Sequence, residues 1–202
     1  VLEWVTAAVV GYLLGSIPVG FLVAKSRGLD IRKFGSGATG GTNVLRTVGV
    51  VPAIITGVSD LLKGLLGAYI GGLIGGEWGY AIGGFMSIVG HSYPVWLRFK
   101  GGKSVATGAG SLILYHPLAF LAGLTAAVVT IIPTRWVSLG SLMGALVYPG
   151  IVILTPEVPQ AHKALALGAA LIVYVRHWEN IKRIAAGTEN RLGQKAKPRE
   201  GI

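Results

Sequence analysis

The sequence predicts an all-α integral membrane protein, a polytopic bundle of about seven transmembrane helices, and three observations carry that expectation. Only 13% of the 202 residues are charged and 52% are hydrophobic, about half the charge of an ordinary soluble domain. Apolar runs follow one another along the chain, several of them long enough for a helix to cross ~30 Å of hydrocarbon. The mean hydropathy is +0.65, and no stretch is left over for a soluble unit, so residues 1–202 read as a single membrane-embedded domain.

Taken in order, the first span is expected from about Val5 to Ala24, interrupted by Gly-Ser-Ile-Pro-Val-Gly at Gly15 to Gly20. Small residues there permit close helix packing, and Pro18 favours a kink. With no basic start and no small-residue cleavage site, this segment reads as a span rather than a removable leader. A second span, about Val50 to Ile74, carries Asp60 and Lys63 one turn apart. Charge in hydrocarbon is costly, so the two are expected to pair. A short connection with Glu77 and Trp78 leads to a third span, about Tyr80 to Leu97, holding His91 and Pro94 near its end. A short fourth span runs toward Tyr115, His116 and Pro117. The fifth is expected from about Leu118 to Ile132, ending at Pro133, the sixth from Val137 to Leu154, and the seventh from Lys163 to Val175.

The loops sort by charge. Lys25, Arg27, Arg32, Lys33 and Arg46 follow the first span, Arg98, Lys100 and Lys103 the third, Arg135 the fifth, and seven further cations the last. The opposite ends keep Glu3, Glu77, Glu157 and Lys163. Cytoplasmic loops collect cations, so the N-terminus is expected outside and the C-terminus in the cytoplasm. The basic loops then share the cytoplasmic face of the inner membrane, where a multi-loop site can form. A net charge of +10 so placed speaks for membrane orientation, and no nucleic-acid partner is expected. The absence of cysteine removes disulfides and thiolate metal sites.

Three polar segments carry chemistry. Phe34 to Gly49 holds Gly35, Gly37, Gly40 and Gly41, the hydroxyls of Ser36, Thr39 and Thr42, the amide of Asn43 and the cation Arg46. Glycines let backbone N–H groups turn toward one point, hydroxyls add donors, and a guanidinium fork suits phosphate oxygens. The stretch reads as a phosphate cradle, with a plain glycine-rich turn as the alternative. Phe99-Lys100-Gly101-Gly102-Lys103-Ser104 repeats the logic. It resembles the end of a nucleotide P-loop without the full spacing, which argues for a phosphate site rather than an ATP site. In Arg176-His177-Trp178-Glu179-Asn180, His177 and Asn180 share a helix face and can position or deprotonate a hydroxyl. An interfacial helix end anchored by Trp178 explains the same residues equally well. Ser138 and Ser141 are either ligand donors or small packing residues, and His91 is a polar helix-end residue without an assigned role. A transporter of phosphorylated solutes is the rival reading, although only Asp60, Lys63 and His91 could line its path.

Together, Gly-Ser-Ile-Pro-x-Gly, Gly-Ser-Gly-x-x-Gly-x-Thr-Asn-Val-Leu-Arg, Asp60-x-x-Lys63-Gly64, Gly90-His91-x-x-Pro94-Val95 with Lys100-Gly-Gly-Lys-x-Val-Ala-Thr, and Arg176-His177-x-x-Asn180-Ile181 with Glu189 form an ordered set. The set resembles the bacterial acyl-phosphate:glycerol-3-phosphate acyltransferase family over nearly the whole chain. That resemblance implies acyl transfer from a fatty acyl phosphate to the 1-position of sn-glycerol 3-phosphate, giving lysophosphatidic acid and inorganic phosphate, the first acylation of phospholipid synthesis. It implies catalytic roles for Ser36, Arg46, Lys103, His177 and Asn180, and a more structural one for Glu189. Gly35, Gly37, Gly40, Gly41, Thr42, Asn43, Gly101, Gly102, Ser104 and Ser141 are the expected substrate contacts. Ala38, Gly41 and Ser104 stand where the family usually has Asn, Ala and Gly. The expected partners are acyl phosphate, glycerol 3-phosphate and membrane lipid, with no cofactor and no metal: no aspartate cluster and no His-x-x-x-x-Asp pair is present.

Overall fold

The computed structural model describes residues 1–199. The first apolar run forms two helices, α1 (Leu2–Ser16) and α2 (Val19–Lys25), with Ile17 extended between them. Pro18 has no N–H with which to continue the ladder, so the expected kink is a full break. Lys63, from the next long helix, reaches the opening and donates from Nζ to the Ile17 carbonyl at 2.9 Å.

After a loop carrying α3 (Gly41–Thr47), α4 (Val50–Ser92) makes two arms folded back at Gly75 and Gly76. Gly76 has φ +64° and ψ −149°, a conformation that glycine alone adopts readily. The connection expected around Glu77 and Trp78 is therefore only two glycines long, and both residues belong to the second arm. That arm stops at Ser92, before Pro94 and the single turn Val95–Leu97, rather than running to Leu97.

Small residues let these rods meet backbone to backbone. A Cβ on Gly71 would collide with the Gly79 carbonyl across the α4 hairpin, and one on Gly15 would collide with Ser87 between α1 and the second arm. α5 (Val105–Leu112) crosses the first arm where Gly110 faces the Leu61 carbonyl and Gly64 faces that of Thr107. Gly64→Ala and Gly110→Ala are expected to lower the thermal midpoint by roughly 4–10 °C through overpacking. Gly150→Ala, whose Cβ meets nothing within 4 Å, is the control in the same detergent melts.

At eight residues, α5 rises only about 12 Å, too short to cross ~30 Å of hydrocarbon unaided. α6 (Pro117–Thr134) runs two residues past the expected boundary, taking in Pro133, and stops where Arg135 turns left-handed at φ +59°. α7 (Val137–Leu154) matches its expected span, and α6 packs chiefly on it. α8 (Gln160–Arg176) packs on α4 and α7, and α9 (Trp178–Ala185) leaves it at His177. Among the described residues, four stretches are long and apolar enough to cross a membrane: Leu2–Lys25, Val50–Leu97, Pro117–Thr134 and Val137–Leu154. Leu73, Ile132, Leu154 and Leu171 lie exposed on the outside of the bundle, as a hydrocarbon solvent requires. The interior holds Ile88, Val152 and Leu165 between α4, α7 and α8.

Candidate active site

The three polar segments, distant in sequence, converge at the end of the bundle where the first arm of α4 begins and the second stops. They enclose a pocket of about 310 Å³. Ser36, Gly40, Gly41, Thr42, Asn43, Arg46, Lys103, Ser104, Ser141, His177 and Asn180 line it, and Gly35, Gly37, Gly101 and Gly102 do not.

Those four glycines shape the loops instead. Gly35 and Gly37 take φ of +53° and +71°, and the N–H of Gly35 donates to the Lys197 carbonyl at 2.9 Å. Gly101 and Gly102 donate their N–H groups to the carbonyls of Ser92 and His91, at 3.2 and 3.0 Å. A Cβ on Gly102 would run into the His91 ring. Backbone donors already satisfied inside the protein are not available to phosphate, so these positions hold the lysine loop rather than the ligand. The Ser104 hydroxyl is likewise used internally, donating to the Ile88 carbonyl at 2.8 Å and accepting from Ser92 at 2.6 Å. Asn43 knots the first loop: its amide nitrogen donates to the carbonyls of Phe34 and Ala38, at 3.1 and 2.9 Å, and its oxygen accepts from the Ser36 N–H at 3.3 Å.

Lys103 is the most enclosed cation of the pocket. Its Nζ donates to Asn180 Oδ1, and Asn180 Nδ2 in turn donates to Glu189 Oε1 at 2.7 Å. Ser138 donates to the same carboxylate oxygen at 3.0 Å, and Arg183 Nε to the other at 2.8 Å. The carboxylate thereby fixes which end of the Asn180 amide faces the lysine. Burial pushes the Lys103 ammonium down to about 8, against the attraction of Glu189 and helped by repulsion from Arg183, Arg46 and Arg176. Arg46 donates from Nη2 to the Asn190 carbonyl at 3.1 Å, while its buried Nε has no hydrogen-bond partner among the described residues. Burial lowers its guanidinium below the usual range, with Glu189 opposing, yet arginine stays charged.

His177 lies at the junction of α8 and α9, with Nδ1 2.8 Å from the Val173 carbonyl. A carbonyl only accepts, so Nδ1 carries the hydrogen. Burial, then the nearby Lys103 charge, push the imidazole down to about 4. It is therefore neutral at physiological pH, and its Nε2 is a lone-pair acceptor.

The sequence leaves part of the wall open, allowing the Asp60–Lys63 pair either to brace the bundle or to line the site. Asp60 and His91 border the pocket, with Lys63 beneath them. Asp60 Oδ1 is 2.8 Å from Lys63 Nζ and 3.3 Å from His91 Nδ1, so the expected pair is a triad. The turn was legible as the connection expected before the third span, but the contact of His91 with Asp60 across the hairpin leaves no local sequence mark. Arg183 and Asn190 also line the pocket. The cue was there for Arg183, which shares a polar segment with Glu189.

Arg176 acts on the lysine loop from outside, donating from Nε to the Gly102 carbonyl at 3.0 Å and from Nη2 to that of Gly101 at 3.2 Å. Its guanidinium also stacks over Tyr93, 5.1 Å from the ring centre. Arg176→Ala is expected to lower kcat/KM about 10- to 100-fold through displacement of Lys103. Added methylguanidine should recover part of that loss, with the melting profile as the check on folding.

A second, apolar cavity of about 320 Å³ lies between α5, α6, α7 and α8. It shares Val105, Ala109, Val137 and Ser141 with the polar pocket. The two cavities abut along those four residues, one cationic and the other apolar.

Comparison with known proteins places nearly the whole chain among relatives of one kind. A family model described as Glycerol-3-phosphate acyltransferase matches residues 5–187. A glycerol-3-phosphate acyltransferase of Symbiobacterium thermophilum is 57% identical over 197 residues, covering 98% of each chain. One from Synechococcus elongatus is 40% identical over 204 residues, covering 96% of this chain and 97% of its own. The crystal structure of PlsY (YgiH), an integral membrane glycerol 3-phosphate acyltransferase, superposes in its glycerol 3-phosphate form with a TM-score of 0.89 at 33% identity, covering 94% of this chain and 96% of that one. Its lysophosphatidic acid form gives 0.86 at 32% identity, covering 94% and 95%.

Proposed function

The chain belongs to the glycerol-3-phosphate acyltransferase family, and from that premise we propose that the two adjacent cavities serve the transfer of a fatty acyl group from acyl phosphate to the 1-position of sn-glycerol 3-phosphate. The products are lysophosphatidic acid and inorganic phosphate. The observation that carries this reading is a cationic pocket set directly against an apolar groove, with Val105, Ala109, Val137 and Ser141 lining both. A substrate pair with two phosphates and one long hydrocarbon chain needs both.

Ser36, the Gly40 to Asn43 turn and Arg46 hold the phosphate of the donor, and its chain lies in the groove. Lys103, held by Asn180, meets the phosphate of glycerol phosphate. Neutral His177 accepts a hydrogen bond from the glycerol hydroxyl and aligns it on the acyl carbon. The hydroxyl oxygen attacks, the bond from acyl carbon to phosphate oxygen breaks, and the proton ends on phosphate. An imidazole near 4 is a weaker base than a phosphate dianion, whose pKa is about 6, so the donor's own oxygen takes the proton. Acyl phosphate is a mixed anhydride with a good leaving group, and the protein's task is alignment and charge neutralisation. The site is assigned to the cytoplasmic face of the inner membrane, with the N-terminus external, about seven crossings and one domain, because every loop that builds it is basic.

The purified protein, given acyl phosphate and glycerol 3-phosphate in the presence of a chelator, is expected to form lysophosphatidic acid and phosphate in equal amounts. Turnover that requires a metal, or that proceeds from acyl thioester but not from acyl phosphate, would overturn the reading.

A further inference from the structure

α5 carries two buried glycines two residues apart, and packing explains only one of them. A Cβ on Gly110 would collide with the Leu61 carbonyl, so the α4 contact requires that glycine. On the other face of the helix, a Cβ on Gly108 meets nothing nearer than Ile88 Cδ1 at 3.9 Å, ordinary van der Waals distance. The residue lies within regular helix and outside the left-handed region. A helix-interior glycine gives up about 1 kcal/mol relative to alanine, and neither collision nor backbone strain accounts for that loss here. The space it leaves opens into the apolar groove, whose wall it forms.

Along the groove the Tyr148 hydroxyl donates to the Leu112 carbonyl at 3.2 Å, a strut from α7 to α5. Val105 to Leu112 on one wall, and Ser141 to Tyr148 on the other, each climb seven residues from the polar junction, about 10 Å of helix rise. Gly108 stands about 4.5 Å along that path.

We propose that Gly108 determines which acyl chains the groove admits. Its missing side chain is the clearance through which a chain longer than a few carbons passes from the phosphate pocket toward the Tyr148 strut. Any larger residue there narrows the groove near its mouth and leaves room for short chains alone. The inference rests on the groove being the acyl site.

The test compares Gly108→Leu and Gly108→Ala with the unaltered protein, reading the ratio of kcat/KM for palmitoyl phosphate to that for butyryl phosphate. In parallel, the unaltered protein is photolabelled with a palmitoyl phosphonate bearing a mid-chain diazirine. The ratio is expected to fall at least about tenfold in the leucine variant, the scale on which an apolar pocket discriminates a few methylenes, and by less in the alanine variant. Label is expected on α5, α6, α7 or α8, the four walls of the groove. Should the leucine variant fail to fold, the alanine ratio and the label decide. Label in the groove with an unchanged ratio would overturn the role of Gly108 and leave the acyl groove standing. Label confined to other helices would overturn both.

Discussion

Lys103→Ala is expected to lower kcat/KM for glycerol 3-phosphate at least about 10³-fold, because it removes a desolvated cation aimed at a phosphate. Asn180 and Glu189 would remain in place with the amide oxygen facing nothing, so folding is retained while binding of the anion collapses. The pH profile gives an independent check. Only the ammonium form neutralises phosphate, and burial pushes that group down to about 8. In the unaltered protein kcat/KM should therefore fall as pH rises through that value. In Lys103→Arg the falling limb should vanish, since guanidinium stays charged, even though the absolute rate drops with the altered geometry. Stability moves the opposite way. The folded value lies below the ordinary 10.5, so between the two the unfolded chain binds more protons and the ligand-free fold gains stability with rising pH. A kcat/KM that stays level through pH 8 would remove Lys103 from phosphate recognition.

The second large effect is on the fold. Asp60→Ala leaves the Lys63 ammonium buried beside Ile17 and His91 with its counter-charge gone. Breaking one side of a buried ion pair costs about 3–5 kcal/mol, and a melting midpoint roughly 10 °C lower is expected. Asp60→Ala combined with Lys63→Met removes both charges and should recover at least about half of that loss. If Asp60→Ala instead keeps its midpoint and loses all turnover, the carboxylate belongs to the chemistry and not to the brace.

The break in the first span shows why the brace could be read only in part. Pro18 announced an interruption, and Asp60 and Lys63 announced a pair, because each rule concerns neighbours along one helix. That Lys63 would reach across to Ile17, and that His91 would complete the group, followed from the α4 hairpin and from α1 lying on its second arm. The same contrast divides the glycines of the site. Gly40 and Gly41 border the pocket as the composition of their loop suggested, whereas Gly101 and Gly102 face inward because the end of the second arm lies directly beneath them. Their carbonyls, not their N–H groups, are the feature that matters, and Arg176 holds both.

By itself the sequence determined that this chain is a helical membrane protein, where most of its rods begin and end, and which three polar segments carry anion-binding chemistry. Hydropathy, charge placement and turn residues are local quantities, and they act over a few residues at a time. Tertiary structure decided which donors face the pocket and which are consumed in the loops, and it set the polar pocket against a groove between helices that are far apart in sequence. Those outcomes depend on how closely glycine-faced helices can approach, and the meeting of two distant backbones has no signature in either stretch alone.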